Sequence, residues 1–276
     1  MNRGFQFQQF FVSHDRCAMK VGTDGVLLGA LATGGKKVLD IGTGTGLCAL
    51  MLAQRYPDAM ITAIDIDKDA CEQATENVAE SPFSERIEVI NVSLEDYERA
   101  AFDISTCRHD VITKENRPPF DAIISNPPYF EENLACPDDK RDKARHTTSL
   151  PFSSLIECSK SLLADEGTLT LILPTTALSR IETECAYANM FITRKIFICT
   201  TENKPPKRIV LYIRKHPSPV ESEKQVLMVQ GVQGVQEVQK TSMFNVQCSM
   251  SQRRSPWYEA LTETFYLPHS PSGERV

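Results

Sequence analysis

Lys37-Val38-Leu39-Asp40-Ile41-Gly42-Thr43-Gly44-Thr45-Gly46 decides how this chain folds. The apolar start reads as a short buried strand, and three glycines at alternate positions break it. A helix from Leu47 to Arg55 follows, because Leu47, Leu50 and Met51 recur at i, i+3 and i+4 and Pro57 marks the exit. Strand, glycine turn and helix open a unit in which backbone amides can come close to a ligand. Downstream, Ile61–Ile64 reads as a strand ending at Asp65, and a helix runs from Lys68 to about Glu80. Ile87–Ile90 is a third strand, ending near Asn91-Val92-Ser93. Alternation of this kind, with buried strands, predicts a parallel doubly wound sheet.

Residues 98–119 are polar and irregular and read as an insertion. The fourth strand, Ala122-Ile123-Ile124, runs into Ser125-Asn126-Pro127-Pro128-Tyr129 and a charged loop from Glu131 to His146. A helix over 152–163, a strand over 168–173 and a helix over 176–189 come next. The runs 195–199 and 208–213 are separated by Glu202-Asn203-Lys204-Pro205-Pro206-Lys207, long enough for a hairpin loop, so they can pair antiparallel. The expected architecture is α/β: a Rossmann-like, doubly wound, mostly parallel seven-stranded sheet with the last strand antiparallel. Ahead of it, 5–12 forms a short strand or an aromatic arm. Lys20–Gly25 is turn-rich and leads into a helix over 26–31, with Thr23 as its N-cap and Asp24 in its first turn. Gly34-Gly35 ends that helix. Behind the sheet, 217–254 loosens into a variable loop or hairpin extension around the tandem VQGVQGVQEVQ at 229–239, and Trp257–Leu267 is an amphipathic helical piece before a frayed tail.

Composition excludes several classes. The chain has 276 residues, 41% hydrophobic and 24% charged, ordinary for a globular protein. A net charge of −6 argues against a protein that coats nucleic acid non-specifically, though it permits a local basic face. Nine cysteines, at 17, 48, 71, 107, 136, 158, 185, 199 and 248, form no CxxC pair and are odd in number. Buried reduced thiols, not zinc or disulfides, are expected, and no metal. MNRGFQFQQFFVSHDR lacks the apolar core of a signal peptide and no stretch approaches a membrane span. A cytoplasmic protein without a membrane partner is expected.

Three constellations carry chemistry. In the glycine turn, an acid (Asp40) precedes Gly42-x-Gly44-x-Gly46, whereas a dinucleotide fingerprint places its third glycine one position later, where Leu47 stands. That spacing favours S-adenosylmethionine over a dinucleotide or a merely structural turn. Asp65 lies 23 residues after Gly42, at the end of the next strand, where a carboxylate can accept both ribose hydroxyls. Asp67 is the better helix cap of the two. In Asn126-Pro127-Pro128-Tyr129, the prolines stiffen the backbone, Asn126 adds a side-chain carbonyl and Tyr129 a flat face. Two acceptors beside an aromatic plate suit a flat ligand with an NH2 group. All these groups, with Ser93, fall at the carboxyl ends of strands, where open α/β sheets bind ligands.

GxGxG, the ribose acid and NPPY together resemble a class I S-adenosylmethionine-dependent methyltransferase. NPPY occurs both in N6-adenine methyltransferases and in glutamine N5-methyltransferases that act on release factors. FQFQQFFVSHDRCAMKVGTDGVLLGA, DIGTGTGLCALMLAQR and the C-terminal WYEALTETFYL resemble the bacterial family that methylates adenosine at N6 beside the anticodon of a valine tRNA. The likeness covers 4–216 and 255–267. It implies a single domain over 1–276, with 1–33 as a cofactor- and substrate-capping segment, 34–216 as the core, 217–254 as a variable insertion and 255–276 as a C-terminal helix and tail.

The resemblance implies further that S-adenosylmethionine is the cofactor and tRNA the partner. Asp40, Gly42, Gly44 and Gly46 would hold the methionine part, and Lys20, Gly22, Thr23 and Asp24 would close over it. Asp65 and Ile66 would bind the nucleoside. Ser93 and Leu94 would read the adenine, in place of the acid usual there. Asn126, Pro127 and Tyr129 would hold and activate the target base, with Asn126 also facing the cofactor. Lys140, Arg141, Lys143 and Arg145, with Lys204, Lys207 and Arg208, are candidate phosphate contacts or a solvated loop. Two alternatives stand beside this: a glutamine methyltransferase, for whose usual N-terminal helical domain the 36 residues before the first strand leave no room, and a non-catalytic RNA-binding module, against which the intact motifs argue. A monomer is expected.

Overall fold

The computed structural model describes residues 4–17, 20–102, 117–127, 150–232 and 250–267. The chain opens with a hairpin, β1 (Gly4–Gln6) and β2 (Phe11–Ser13), and α1 (Thr23–Leu31). Then come β3 (Lys37–Ile41), α2 (Leu47–Arg55), β4 (Met60–Asp65), α3 (Lys68–Ala79), β5 (Ile87–Asn91) and α4 (Leu94–Phe102). The second half holds β6 (Phe120–Ser125), α5 (Phe152–Leu162), β7 (Leu163–Pro174), α6 (Leu178–Ala188), β8 (Phe191–Cys199), β9 (Arg208–Arg214) and β10 (Glu221–Val226). A ribbon of β11 (Met228–Val232) and β12 (Met250–Arg254) precedes α7 (Pro256–Thr262).

The central sheet has the order β10-β8-β9-β7-β6-β3-β4-β5. Its strands pair in parallel except β9, which is antiparallel to both β7 and β8. The chain starts in the middle at β3, winds out through β4 and β5, then returns to β6 on the other side. The switch point between β3 and β6 is where a doubly wound sheet leaves its crevice. Both central strands are apolar on both faces, as a doubly covered sheet requires: Val38, Leu39, Ala122, Ile123 and Ile124 have no solvent exposure. One core packs α1, α2, α3 and α7 against the sheet, and the other packs α4, α5 and α6.

The seven expected strands are all present, and β9 is the antiparallel one. While the antiparallel β11–β12 pair fits the hairpin-extension reading of 217–254, an eighth strand, β10, corrects the strand count and the loop reading of 221–226. Its sequence, ESEKQV, has no apolar period to betray it. It is held at the edge by its backbone ladder to β8 and by charge, with Arg194 Nε donating to Glu223 Oε1 at 3.1 Å. The β11–β12 ribbon beside it brackets 233–249, so most of the VQG repeat lies outside the described residues. The expected insertion over 98–119 is also corrected: 98–102 complete α4, whose Leu94 and Tyr97 are buried. Gly22, not Thr23, caps α1, and it makes no side-chain cap bond. That helix stops at Leu31, before Gly34-Gly35. The N-terminal aromatic stretch is a docked hairpin. Phe7 and Phe10 are buried, Phe7 stacks on Tyr266 at 6.0 Å, and Gln8 N donates to Phe265 O at 2.8 Å. Among the described residues no helix is long and apolar enough to cross a membrane, and all six described cysteines are buried and free.

Candidate active site

The loop between β3 and α2 is built by three glycines in the left-handed region, Gly42 (φ 70°), Gly44 (φ 58°) and Gly46 (φ 79°). L side chains avoid this region. At Gly42 and Gly44 a Cβ would also point into empty space, with no atom within 4 Å, so the backbone is bared toward a cavity. The amides of Gly42 and Thr43 donate to Ile64 O at 2.9 and 3.0 Å, which pins the loop to the end of β4. The Gly44 amide donates to Asp65 Oδ2 at 2.9 Å. The two motifs are thus joined directly.

Asp40 forms the floor. It is 2% exposed and takes a hydrogen bond from Thr43 Oγ1 at 2.7 Å. Burial pushes its carboxyl up to about 7; repulsion from Asp65 adds to this, while the bonds from Thr43 and the Ala49 amide oppose it. Asp65 is raised too, chiefly by desolvation and against the bonds it accepts from the Asp67 and Gly44 amides. Asp67 is the helix cap, its Oδ1 accepting from Asp69 N at 2.9 Å and Ala70 N at 3.5 Å. Asn91 Nδ2 holds the strand end by donating to Asp65 O and Ile66 O. The Ile66 side chain stands in solvent beside it, 57% exposed.

A cavity of about 370 Å3 is lined by Lys20, Gly22, Thr23, Asp24, Asp40, Gly42, Gly44 and Asn126 among others. Its volume is within the small-molecule range. Two helices, α1 and α2, begin at its wall; the first turn of α1 has no side-chain cap and can face an anion, whereas in α2 the Ala49 amide is already held by Asp40. Asp24 Oδ2, at the start of α1, accepts from Arg208 Nε at 2.7 Å. Asn126 follows β6 directly, and Ser125, fully buried, donates Oγ to Ile41 O at 2.8 Å, locking the ends of β6 and β3 side by side. Pro127 is described; Pro128, Tyr129, and the basic loop with Lys140, Arg141, Lys143 and Arg145 lie outside the described residues. Gly46, Asp65, Ile66, Ser93 and Leu94 do not line the cavity. Ser93 is committed elsewhere: Oγ accepts from Asp96 N at 3.1 Å and donates to Asp96 Oδ2 at 2.9 Å, capping α4, while the Leu94 side chain is core. What those two residues can offer a ligand is backbone.

Sequence reasoning passed over several residues. Val21, Gly25, Thr43, Thr45, Leu47 and Cys48 also line the cavity. Asn77, 1% exposed, is the clamp that sets the capping segment over the loop. Its Nδ2 donates to Ser13 O at 2.9 Å and Thr45 O at 2.8 Å, and its Oδ1 accepts from Ser13 N at 2.9 Å. A polar residue inside an amphipathic helix gives no sign of such a role. Another hollow, of about 410 Å3, sits at the far end of α2 among Gln9, Gln54, Arg55, Tyr56 and Thr264. Its polar donors tie elements together: Arg55 Nη1 donates to Gly29 O and Ala32 O, and Gln54 Nε2 to Thr264 O.

A bared glycine loop and Asn126-Pro127 at the switch point of a doubly wound sheet define a methyltransferase-type crevice, and residues 38–126 match the profile of the methyltransferase domain. The chain is 46% identical over 213 residues to the tRNA1(Val) (adenine(37)-N6)-methyltransferase of Bacteroides thetaiotaomicron, spanning 76% of this chain and 83% of that one. It is 38% identical over 268 residues to the protein of that name from Escherichia coli O157:H7, spanning 96% and 95%. Among solved structures, a protein from Agrobacterium tumefaciens described as a predicted O-methyltransferase shares the fold, with a TM-score of 0.61 at 18% identity over 88% of this chain and 96% of that one. The chain belongs to the tRNA1(Val) (adenine(37)-N6)-methyltransferase family.

Proposed function

We propose that the protein transfers a methyl group from S-adenosylmethionine to N6 of an adenosine in tRNA, the one beside the anticodon of a valine tRNA. The observation that supports this most is that the glycine loop of β3 and the Asn126 of β6 line one cavity. The chain's own groups fit the cofactor. The space at Gly42 and Gly44 admits a ligand against the backbone, Asp40 and Asp24 suit an ammonium, and the uncapped start of α1 suits a carboxylate. Asp65, with Ile66 beside it, would take the nucleoside. When bound, the cofactor supplies an electrophilic methyl group on a sulfonium.

The target nitrogen is a weak nucleophile, because its lone pair is delocalised into the adenine ring. Asn126 Oδ1 and the Pro127 carbonyl would accept hydrogen bonds from its two N–H groups, favouring a pyramidal nitrogen and stabilising the positive charge that develops there. Tyr129 would stack on the base. No protein base is required, since the methylated cationic amine is a strong acid and loses its proton to water. An anticodon loop makes extrusion of the base less costly than a duplex does. Acting on tRNA, the enzyme would work in the cytoplasm, as a monomer of one domain and without a metal. Nucleoside mass spectrometry of tRNA from cells lacking the protein tests this reading: N6-methyladenosine should vanish from valine tRNA. Its persistence would overturn the proposal.

A further inference from the structure

The loop joining β8 to β9 takes no part in the chemistry above, yet it opens on the crevice. β8 is antiparallel to β9 and therefore runs in the same direction as β6, so residues 200–207 emerge at the edge where β6 delivers Asn126. Only β7 lies between β9 and β6, which puts the loop base about 10 Å from the Asn126 strand. The loop is well braced. Lys204 N donates to Thr201 O at 3.1 Å, Lys207 N to Ile198 O at 3.0 Å, and Thr175 Oγ1 to Pro206 O at 3.0 Å, while Pro205 and Pro206 fix two φ angles.

Three cations stand on it, and the structure separates them. Arg208 is turned to Asp24 at the cavity wall, at 2.7 Å. Lys204 and Lys207 are exposed and form no ion pair with any described residue. Glu202 is the only acid between 200 and 207. In a chain of net charge −6, two ammonium groups with no acidic partner among the described residues, on a braced loop beside the target-base motif, match a phosphate chain. We propose that Lys204 and Lys207 contact the RNA phosphates flanking the extruded base, whereas Arg208 is a positioning residue that holds Asp24 against the cofactor. This rests on the RNA-methylating reading above.

The test uses the full chain, an unmodified tRNA1(Val) transcript and S-adenosylmethionine. Lys204→Gln/Lys207→Gln should weaken tRNA binding about tenfold and lower the slope of log K against log salt by about 1.4, with cofactor affinity unchanged. Arg208→Gln should raise the cofactor Kd several-fold and leave the salt slope as in the wild type, and Arg208→Lys should restore part of the loss. A wild-type slope in the lysine variant, or a reduced slope in Arg208→Gln, would overturn the division of roles. Failure of the wild-type protein to bind or methylate the transcript would instead sink the reading on which it rests.

Discussion

Asp40 shows how one side chain can hold two roles. It braces the glycine loop through Thr43 and the start of α2 through Ala49, and it presents a buried carboxyl to the cavity. Its folded value, about 7, lies above that of an unfolded Asp. The folded state therefore holds the proton more tightly, and its contribution to stability is fully present below the unfolded value and is lost as pH rises through about 7. A ligand ammonium reverses the preference, because it favours the carboxylate. Cofactor affinity should then fall on acidification below pH 7, by up to about tenfold per pH unit, and Asp40→Asn should flatten the profile. Calorimetric titrations between pH 5.5 and 8 check this; a flat wild-type profile would exclude the pairing. The motif made Asp40 visible in the sequence. The environment that shifts its proton was not, since it depends first on burial by the folded loop and elements around it, and then on β4 delivering Asp65 alongside.

At the scale of elements, strands and helices with a strong apolar period were legible nearly to the residue, as α2 and β5 show. Elements stabilised by charge or by polar anchors were not. β10 carries no such period, and its pairing relies on Arg194 of β8, which is distant in sequence. Ser93 carried a signal that could have been read: Ser93-Leu94-Glu95-Asp96 is a capping signature, and its hydroxyl caps α4. The placement of Ser13 over the glycine loop depends on Asn77 in α3, invisible to any local pattern. Asn77→Ala would leave the Ser13 and Thr45 backbone groups without their partner, at a cost of about 2 kcal/mol. Thermal unfolding should show Tm lower by about 4–8 °C, with weaker cofactor binding. An unchanged Tm would mean that the clamp contributes nothing.

For the molecule as a whole, the two ends of the described chain meet. The β1–β2 hairpin and the segment after α7 share an aromatic cluster of Phe5, Phe7, Phe10 and Tyr266, with Arg254 over the Tyr266 ring at 4.4 Å. This closure fixes the start of the chain on the same face as α1 and so steadies the capping segment. The excursion between 217 and 255 leaves that arrangement intact. Val232 and Met250 are direct partners in the β11–β12 ribbon, so a turn of a few residues can replace 233–249. The shortened protein should keep its Tm and cofactor affinity, both measurable in one ligand-dependent melting series; loss of folded protein would show that the excursion packs on the core. Single-turnover transfer of labelled methyl from S-adenosylmethionine to a tRNA1(Val) transcript, with the product located by nucleoside mass spectrometry and the cofactor Kd measured alongside, tests the account most directly. The wild type should form N6-methyladenosine, and Asn126→Ala should lose transfer at least a hundredfold while its cofactor Kd stays within a few-fold. Label elsewhere than on an adenine amino group, or near-normal transfer by Asn126→Ala, would contradict it.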